Sequence, residues 1–385
     1  MKIVSSTNRR AVAALLSATR IRDRATESRT ASIVERVQRS GDVAVRDYAR
    51  ELDGLTGPIE VPQRTWEAEA RRLPRPVRAS IAAAARHIRS VARRQVPRGW
   101  RHRVAAGITV EQRVVPLSRV GCYVPAGRYP LPSSLLMTAI PARIAGVPDI
   151  VVCCPRPDAA VYAAAIEAGV DRLYRVGGAH AVAAMAYGTQ TIARVDKIVG
   201  PGNRWVSAAK SLISADCGID FYAGPTEILI VTATGRAGWI AADLLAQAEH
   251  DPDARAVMIT TNRALAERVV TEVERQLPLL RQGRGGQAPD GPARQSISRH
   301  GGIIVCRSLA EALALTNAAA AEHVVAGTES IARRVLNAGA IFIGGWTAQV
   351  AGDYAIGSNH VLPTAGAARF RGGLNSADFV KLVSV

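Results

Sequence analysis

Lysine is almost missing from this chain: four lysines stand against 45 arginines in 385 residues. Such a bias says more about residue usage than about a basic ligand, because a protein that binds anions has no reason to avoid lysine. Aromatic residues make up only 4%, too few to interleave with the arginines as stacking platforms for single-stranded nucleic acid. The cysteines, Cys122, Cys153, Cys154, Cys217 and Cys306, are odd in number, scattered and never spaced CxxC. They suggest neither a disulfide framework nor a cysteine zinc site, and a reducing cytoplasm fits them best. No stretch is long and apolar enough to span a bilayer, and MKIVSSTNRRAVAALLSATRIRDR has no sustained apolar core before its arginines. Neither a membrane span nor a secretory leader is therefore expected. The dinucleotide fingerprint G-x-G-x-x-G is absent as well.

What is present is a composition that folds: 48% hydrophobic, 21% charged, 33 glycines and 20 prolines. The net charge of +17 is concentrated at the start, where residues 1–100 hold 20 arginines and Lys2 against ten acids. Helical spacing of apolar residues in TASIVERVQRSGDVAVRDYARELDG and PVRASIAAAARHIRSVARRQV predicts an N-terminal helical segment with its arginines on solvated faces. From Gly107 the pattern turns β-rich, and from Asp149 strands and helices alternate: DIVVCC, AAVYAAAIEAG, RLYRV, AHAVAAMAYG, DKIVG, RWVSAAKSLI. A second series runs from EILIVTA through GWIAADLLAQAEHD, RAVMITT, ALAERVVTEVERQL, GGIIVC, LAEALALTNAA and a helical TESIARRVLNAG to AIFIGG. The fold class expected is α/β, two doubly wound Rossmann-like halves with parallel sheets behind the helical segment. The boundaries expected are 1–105, 106–225 and 226–385, with RQGRGGQAPDGPARQ an exposed loop inside the last.

Four places can carry chemistry. KIVGPGN sets a Gly-Pro-Gly turn and Asn203 between strand and helix, which reads either as an anion-binding turn or as a tight turn with Asn203 as N-cap. In LLAQAEHD, Gln247 and His250 are three apart and share a helix face, so an amide oxygen and an imidazole can reach one cation; a helix-terminal His is also a common dipole partner. Glu322 and His323 are adjacent after a helix and can supply a carboxylate and an imidazole to one pocket, or be a surface dipeptide. GDYAIGSNHVLPT offers Asp353 and His360 just after strand AIFIGG, near the carboxyl end where open α/β sheets collect ligands.

Taken with RVGCYVPAGRYPLPSSLLMTAIPARIAGV, VGGAHAVAAMAYGT, VDKIVGPGNRWVSAAK and AGPTEILI, these strings make the chain similar to the histidinol dehydrogenase family from the N-terminal helices to about Ser384. That family oxidises L-histidinol to L-histidine with two NAD molecules. The resemblance implies that Gln247, His250 and Asp353 are zinc ligands that also position substrate, and that Glu322 and His323 are the acid/base pair. It implies that Tyr123 and Asn203 contact NAD, and that Thr226 stands where a serine usually touches substrate. His180 stands where the family usually has glutamine for NAD, and Ala321 where it has proline before the Glu-His pair.

Family members also continue into a C-terminal helical tail that gives the neighbouring subunit a substrate-binding glutamate and a last zinc-ligating histidine, and this chain ends at Val385 without it. His360 is one side chain near enough in sequence to replace that ligand. The leading expectation is accordingly an NAD-dependent, zinc-assisted alcohol dehydrogenase of this family, a paralogue acting on a histidinol-like or other small polar alcohol. The alternatives are a genuine histidinol dehydrogenase and a catalytically idle basic binding protein. A homodimer is expected, with no membrane partner and with nucleic acid disfavoured.

Overall fold

The computed structural model describes residues 1–17, 23–125, 131–222, 224–282, 291–354 and 356–385, in two compact units. The first unit comprises Met1–Ile21, Ala223–Gly352 and Leu362–Gly373; the second comprises Arg22–Tyr222, Asp353–Val361 and Leu374–Val385. Each is built on a parallel sheet, as the alternating pattern requires.

In the first unit six strands lie in the order Lys2–Ser5, Gly302–Val305, Arg255–Thr260, Glu227–Val231, His323–Ala326, Ala340–Ile343, every pair parallel. EILIV is apolar after its first residue because both faces are covered. Ile228 and Ile230 pack on one side with Ile240 and Leu244 of helix Ala237–Ala248 and with Val269 of helix Arg263–Gln276. Leu229 and Val231 pack on the other with Val12 and with Leu313 of helix Leu309–Ala319.

The second unit holds five parallel strands in the order Arg172–Tyr174, Asp149–Cys153, Arg119–Tyr123, Lys197–Val199, Gly218–Ile219. Its Val151 and Ile198 pack with Val34, Val37 and Val45 of helix Arg24–Asp53; Val120 and Ile150 pack with Ile81 and Ile88 of helix Arg75–Gln95. A small antiparallel sheet, Trp100–Ala105, Ile108–Pro116 and Val380–Ser384, belongs to the same unit.

The two parallel sheets share one winding. The first strand of each series lies in the middle, the next two run out on one side and the last two on the other. That places a topological switch point between Glu227–Val231 and His323–Ala326 in the first unit, and between Arg119–Tyr123 and Lys197–Val199 in the second.

Several local expectations are corrected. The N-terminal helices are no separate segment, because their apolar stripe is the cover of the second unit's sheet, while Lys2–Ser5 and Arg9–Leu16 belong to the first unit. Residues 100–105 are strand rather than helix. TESIARRVLNAG forms only the one-turn helix Glu329–Ala332. Of the expected loop over 281–295, residues 283–290 lie outside the described residues, and Pro292 already opens helix Pro292–His300. Among the described residues no helix is long and apolar enough to cross a membrane.

Candidate functional site

Tyr123, His180 and Asn203 all lie in the second unit, at the carboxyl ends of its strands beside the switch point. Tyr123 ends its strand with the side chain buried, and its hydroxyl accepts a 3.1 Å hydrogen bond from Gly178 N. Burial raises the phenol above its ordinary range. His180 is fully buried in helix Gly178–Tyr187; its Nε2 lies 2.9 Å from Asp53 Oδ2, which also accepts from Gly177 N at 2.9 Å. His180 Nδ1 has no hydrogen-bond partner among the described residues. Asn203 is the N-cap of helix Arg204–Ile213, its Oδ1 accepting from Trp205 N at 3.0 Å and Val206 N at 3.2 Å. The cap consumes the amide oxygen and leaves the exposed turn to present the rest of the side chain.

The acid–base candidates gather in the first unit at the opposite ends of its strands. Thr226 precedes the central strand, Glu227 opens it, and His323 opens its neighbour, directly after Glu322. These candidates thus sit at the amino ends of the two strands that flank the switch point, not at the carboxyl ends where the general rule for open α/β sheets places ligands. Glu322 and His323 are buried, which corrects the surface-dipeptide alternative.

Glu322 Oε2 accepts from Thr226 Oγ1 at 2.5 Å and from Glu227 N at 2.9 Å. Burial pushes its carboxyl up to about 7 against the pull of those two donors and of the His250 charge. His323 Nδ1 lies 3.1 Å from Glu227 O and 3.5 Å from Glu322 Oε2. A carbonyl only accepts, so this contact puts the proton on Nδ1 and the basic lone pair on Nε2.

Gln247, in the last turn of Ala237–Ala248, is drawn into the same network: its Nε2 donates to Thr226 Oγ1 at 2.6 Å. Because the Thr226 proton goes to the ionised carboxylate, its oxygen receives the amide N–H and turns Gln247 Oε1 the other way. That Oε1 is buried with no hydrogen-bond partner among the described residues. His250 follows two residues past the helix, exposed, its backbone N bonded to Gln247 O at 3.2 Å so that the helical path continues.

An orphaned amide oxygen with an imidazole three residues on fits a divalent cation. Among the described residues no three His, Cys, Asp or Glu side chains come together as a metal site, and the expected set has only two of those types beside its amide. Asp353, which closes the 3-10 helix Gln349–Asp353, belongs to the second unit. So does His360. Its Nδ1 lies 3.0 Å from Asp353 O and its Nε2 3.3 Å from Ser134 Oγ, so both ring nitrogens are engaged and it offers no lone pair as a replacement ligand in this structure.

Sequence reasoning passed over Glu227, whose backbone holds both Glu322 and His323 and whose own buried carboxyl is pushed up to about 7 by burial, Arg255 opposing and Glu322 reinforcing the shift. Its signal was an acid opening an otherwise apolar buried strand. Asp53 was passed over too; nothing marks it in sequence, since its partners are more than a hundred residues away.

A family model described as histidinol dehydrogenase matches residues 17–385. The histidinol dehydrogenase of Methylococcus capsulatus is 43% identical over 370 residues, covering 93% of this chain and 83% of the relative. That of Geobacter sulfurreducens is 44% identical over 385 residues, covering 97% and 88%. The crystal structure of histidinol dehydrogenase from Elizabethkingia anophelis matches with a TM-score of 0.92 at 30% identity, over 100% of this chain and 90% of that one. Agreement of this extent in sequence and in fold shows that the chain belongs to the histidinol dehydrogenase family.

Proposed function

We propose that this oxidoreductase is a histidinol dehydrogenase in the strict sense, oxidising L-histidinol to L-histidine with two NAD. The expectation of a paralogue with another alcohol rested on where the chain ends. Identities of 41–45% to curated histidinol dehydrogenases over 91–97% of the chain favour the parent reaction instead. The observation that carries the reading is the buried pair of Glu322 and His323, each held by the backbone of Glu227.

Bound NAD would supply the acceptor for each hydride, and a zinc ion, for which Gln247, His250 and Asp353 are the proposed ligands, would supply a Lewis-acid anchor for the substrate. His323 Nε2 is the base that removes the hydroxyl proton as the alcohol is oxidised, its tautomer set by Glu227 O. Glu322, half-ionised near pH 7, takes a proton from the water that adds to the aldehyde; the hydrate then loses the second hydride. Thr226 keeps the carboxylate aimed and Gln247 Oε1 turned away from itself.

Incubation of the protein with zinc, NAD and L-histidinol is expected to give two NADH per histidinol, and His323→Ala and Glu322→Gln to lower kcat by about 10²–10⁴-fold. No NADH from histidinol, or an undiminished rate in both variants, would sink the reading.

A further inference from the structure

Lys210 and Asp220 form an ion pair in the second unit that no step of the reaction uses. Nζ lies 2.6 Å from Oδ1, and the residues are 3% and 1% exposed. A pair so buried gives up the hydration of both charges and is a poor source of stability, since apolar residues of similar volume often serve as well. Asp220 Oδ1 also accepts from the N–H of its neighbour Phe221 at 2.7 Å, and across the chain the pair grips the backbone of Gly200. Gly200 N donates to Asp220 Oδ2 at 2.7 Å, and Gly200 O accepts from Lys210 Nζ at 2.6 Å.

Gly200 carries φ +116°, and a Cβ there would lie 2.2 Å from Tyr123 O. The clamp therefore fixes a conformation open only to glycine, packed directly on the end of the Tyr123 strand. Pro201, Gly202 and Asn203 follow at once, and Asn203 caps the helix that carries Lys210. The loop is closed on itself: helix to Lys210, Lys210 to Gly200, Gly200 through Asn203 back to the helix.

The choice of cation points the same way. In a chain with 45 arginines, one of only four lysines occupies this site. Its two acceptors, Gly200 O and Asp220 Oδ1, suit a compact ammonium, whereas a guanidinium would bring a wide planar fork with five donors into a space that satisfies two.

We propose that the Lys210–Asp220 pair is a positioning device for the nicotinamide dinucleotide, holding the Gly200–Asn203 turn at the switch point so that Tyr123 and Asn203 are preset for it. The proposal rests on the dehydrogenase reading above. A preset turn spares the ligand the cost of ordering it, so loss of the clamp shows as weaker dinucleotide binding.

The test compares wild type with Lys210→Met/Asp220→Leu, Lys210→Arg and Asp220→Asn. It measures NADH affinity by fluorescence titration, thermal unfolding, and KM for NAD and for L-histidinol. The double variant is expected to fold, with the Kd for NADH and the KM for NAD raised about tenfold or more and the KM for histidinol within about twofold; Lys210→Arg is expected not to restore binding. Should the double variant unfold, Asp220→Asn, which keeps the shape and removes the charge, is read by the same rise in Kd. A folded variant that binds NADH as wild type does overturns the clamp alone; wild type that binds no NADH overturns the dehydrogenase reading with it.

Discussion

Thr226 gives its proton to Glu322 and takes one from Gln247, so a single hydroxyl sets the orientation of a proposed base and of a proposed metal ligand. Thr226→Val keeps the volume and removes both bonds. Gln247 then has no reason to keep Oε1 turned from position 226, and zinc affinity is expected to fall about 10–100-fold, the usual effect of losing a partner that orients a ligand. Glu322 loses one of the donors that hold its carboxyl down. Because the base works as the carboxylate, the acid limb of the pH–rate profile, expected near 7 in wild type, moves to higher pH. Thr226→Ser is expected to behave as wild type on both counts. Zinc titration against a chelator and the pH dependence of kcat/KM decide; an unmoved acid limb and unchanged zinc affinity in Thr226→Val would refute the coupling. At this scale the sequence was informative where chemistry leaves a local mark, as in the Glu322–His323 dipeptide and the three-residue spacing of Gln247 and His250. It was silent on Thr226 as a link between the two, because that link joins residues 21 and 96 positions apart.

Helices and central strands were legible as elements because their apolar periodicity is their reason for existing. What periodicity hides is a break that keeps the apolar stripe in phase. Helix Arg24–Asp53 is interrupted at Gly41, with φ 50° and ψ −129°. Asp42, the next residue, fastens the break: its N donates to Gln190 Oε1 at 3.1 Å, and its carboxylate accepts from Thr191 N at 3.1 Å. A Cβ on Gly41 would stand 2.8 Å from Gln190 Oε1. Gly41→Ala, a stabilising change in a regular helix, is expected here to cost about 1–3 kcal/mol and lower Tm by several degrees. An alanine variant melting at or above the wild-type temperature would show the helix to be continuous. The edge strand Lys2–Ser5 escaped notice for a different reason. Four residues carry too little pattern, and the strand exists only by pairing with Gly302–Val305, three hundred residues away.

Over the whole molecule the +17 charge proves a weak guide. The arginines of residues 24–95 decorate the solvent side of helices whose apolar stripes face the second unit's sheet, several of them paired with acids on the same helix, as Arg36 with Asp47 and Arg72 with Glu69. The charges that shape stability are instead the few that are buried, and two of them set a pH dependence. Unfolded, Glu227 and Glu322 titrate at about 4.3; folded, burial pushes both up to about 7. Between those values the native state binds more protons than the unfolded chain, so both groups favour the fold at low pH and that contribution is lost as pH rises through 7. Jointly the loss is on the order of a few kcal/mol. Glu227→Gln removes one titration while leaving in place the backbone N and O that hold Glu322 and His323. The urea midpoint of the variant relative to wild type is therefore expected to climb between pH 5 and pH 8. A difference that stays constant across that range would mean that Glu227 is already ionised in the fold, and that Arg255, its opposing charge, outweighs its burial.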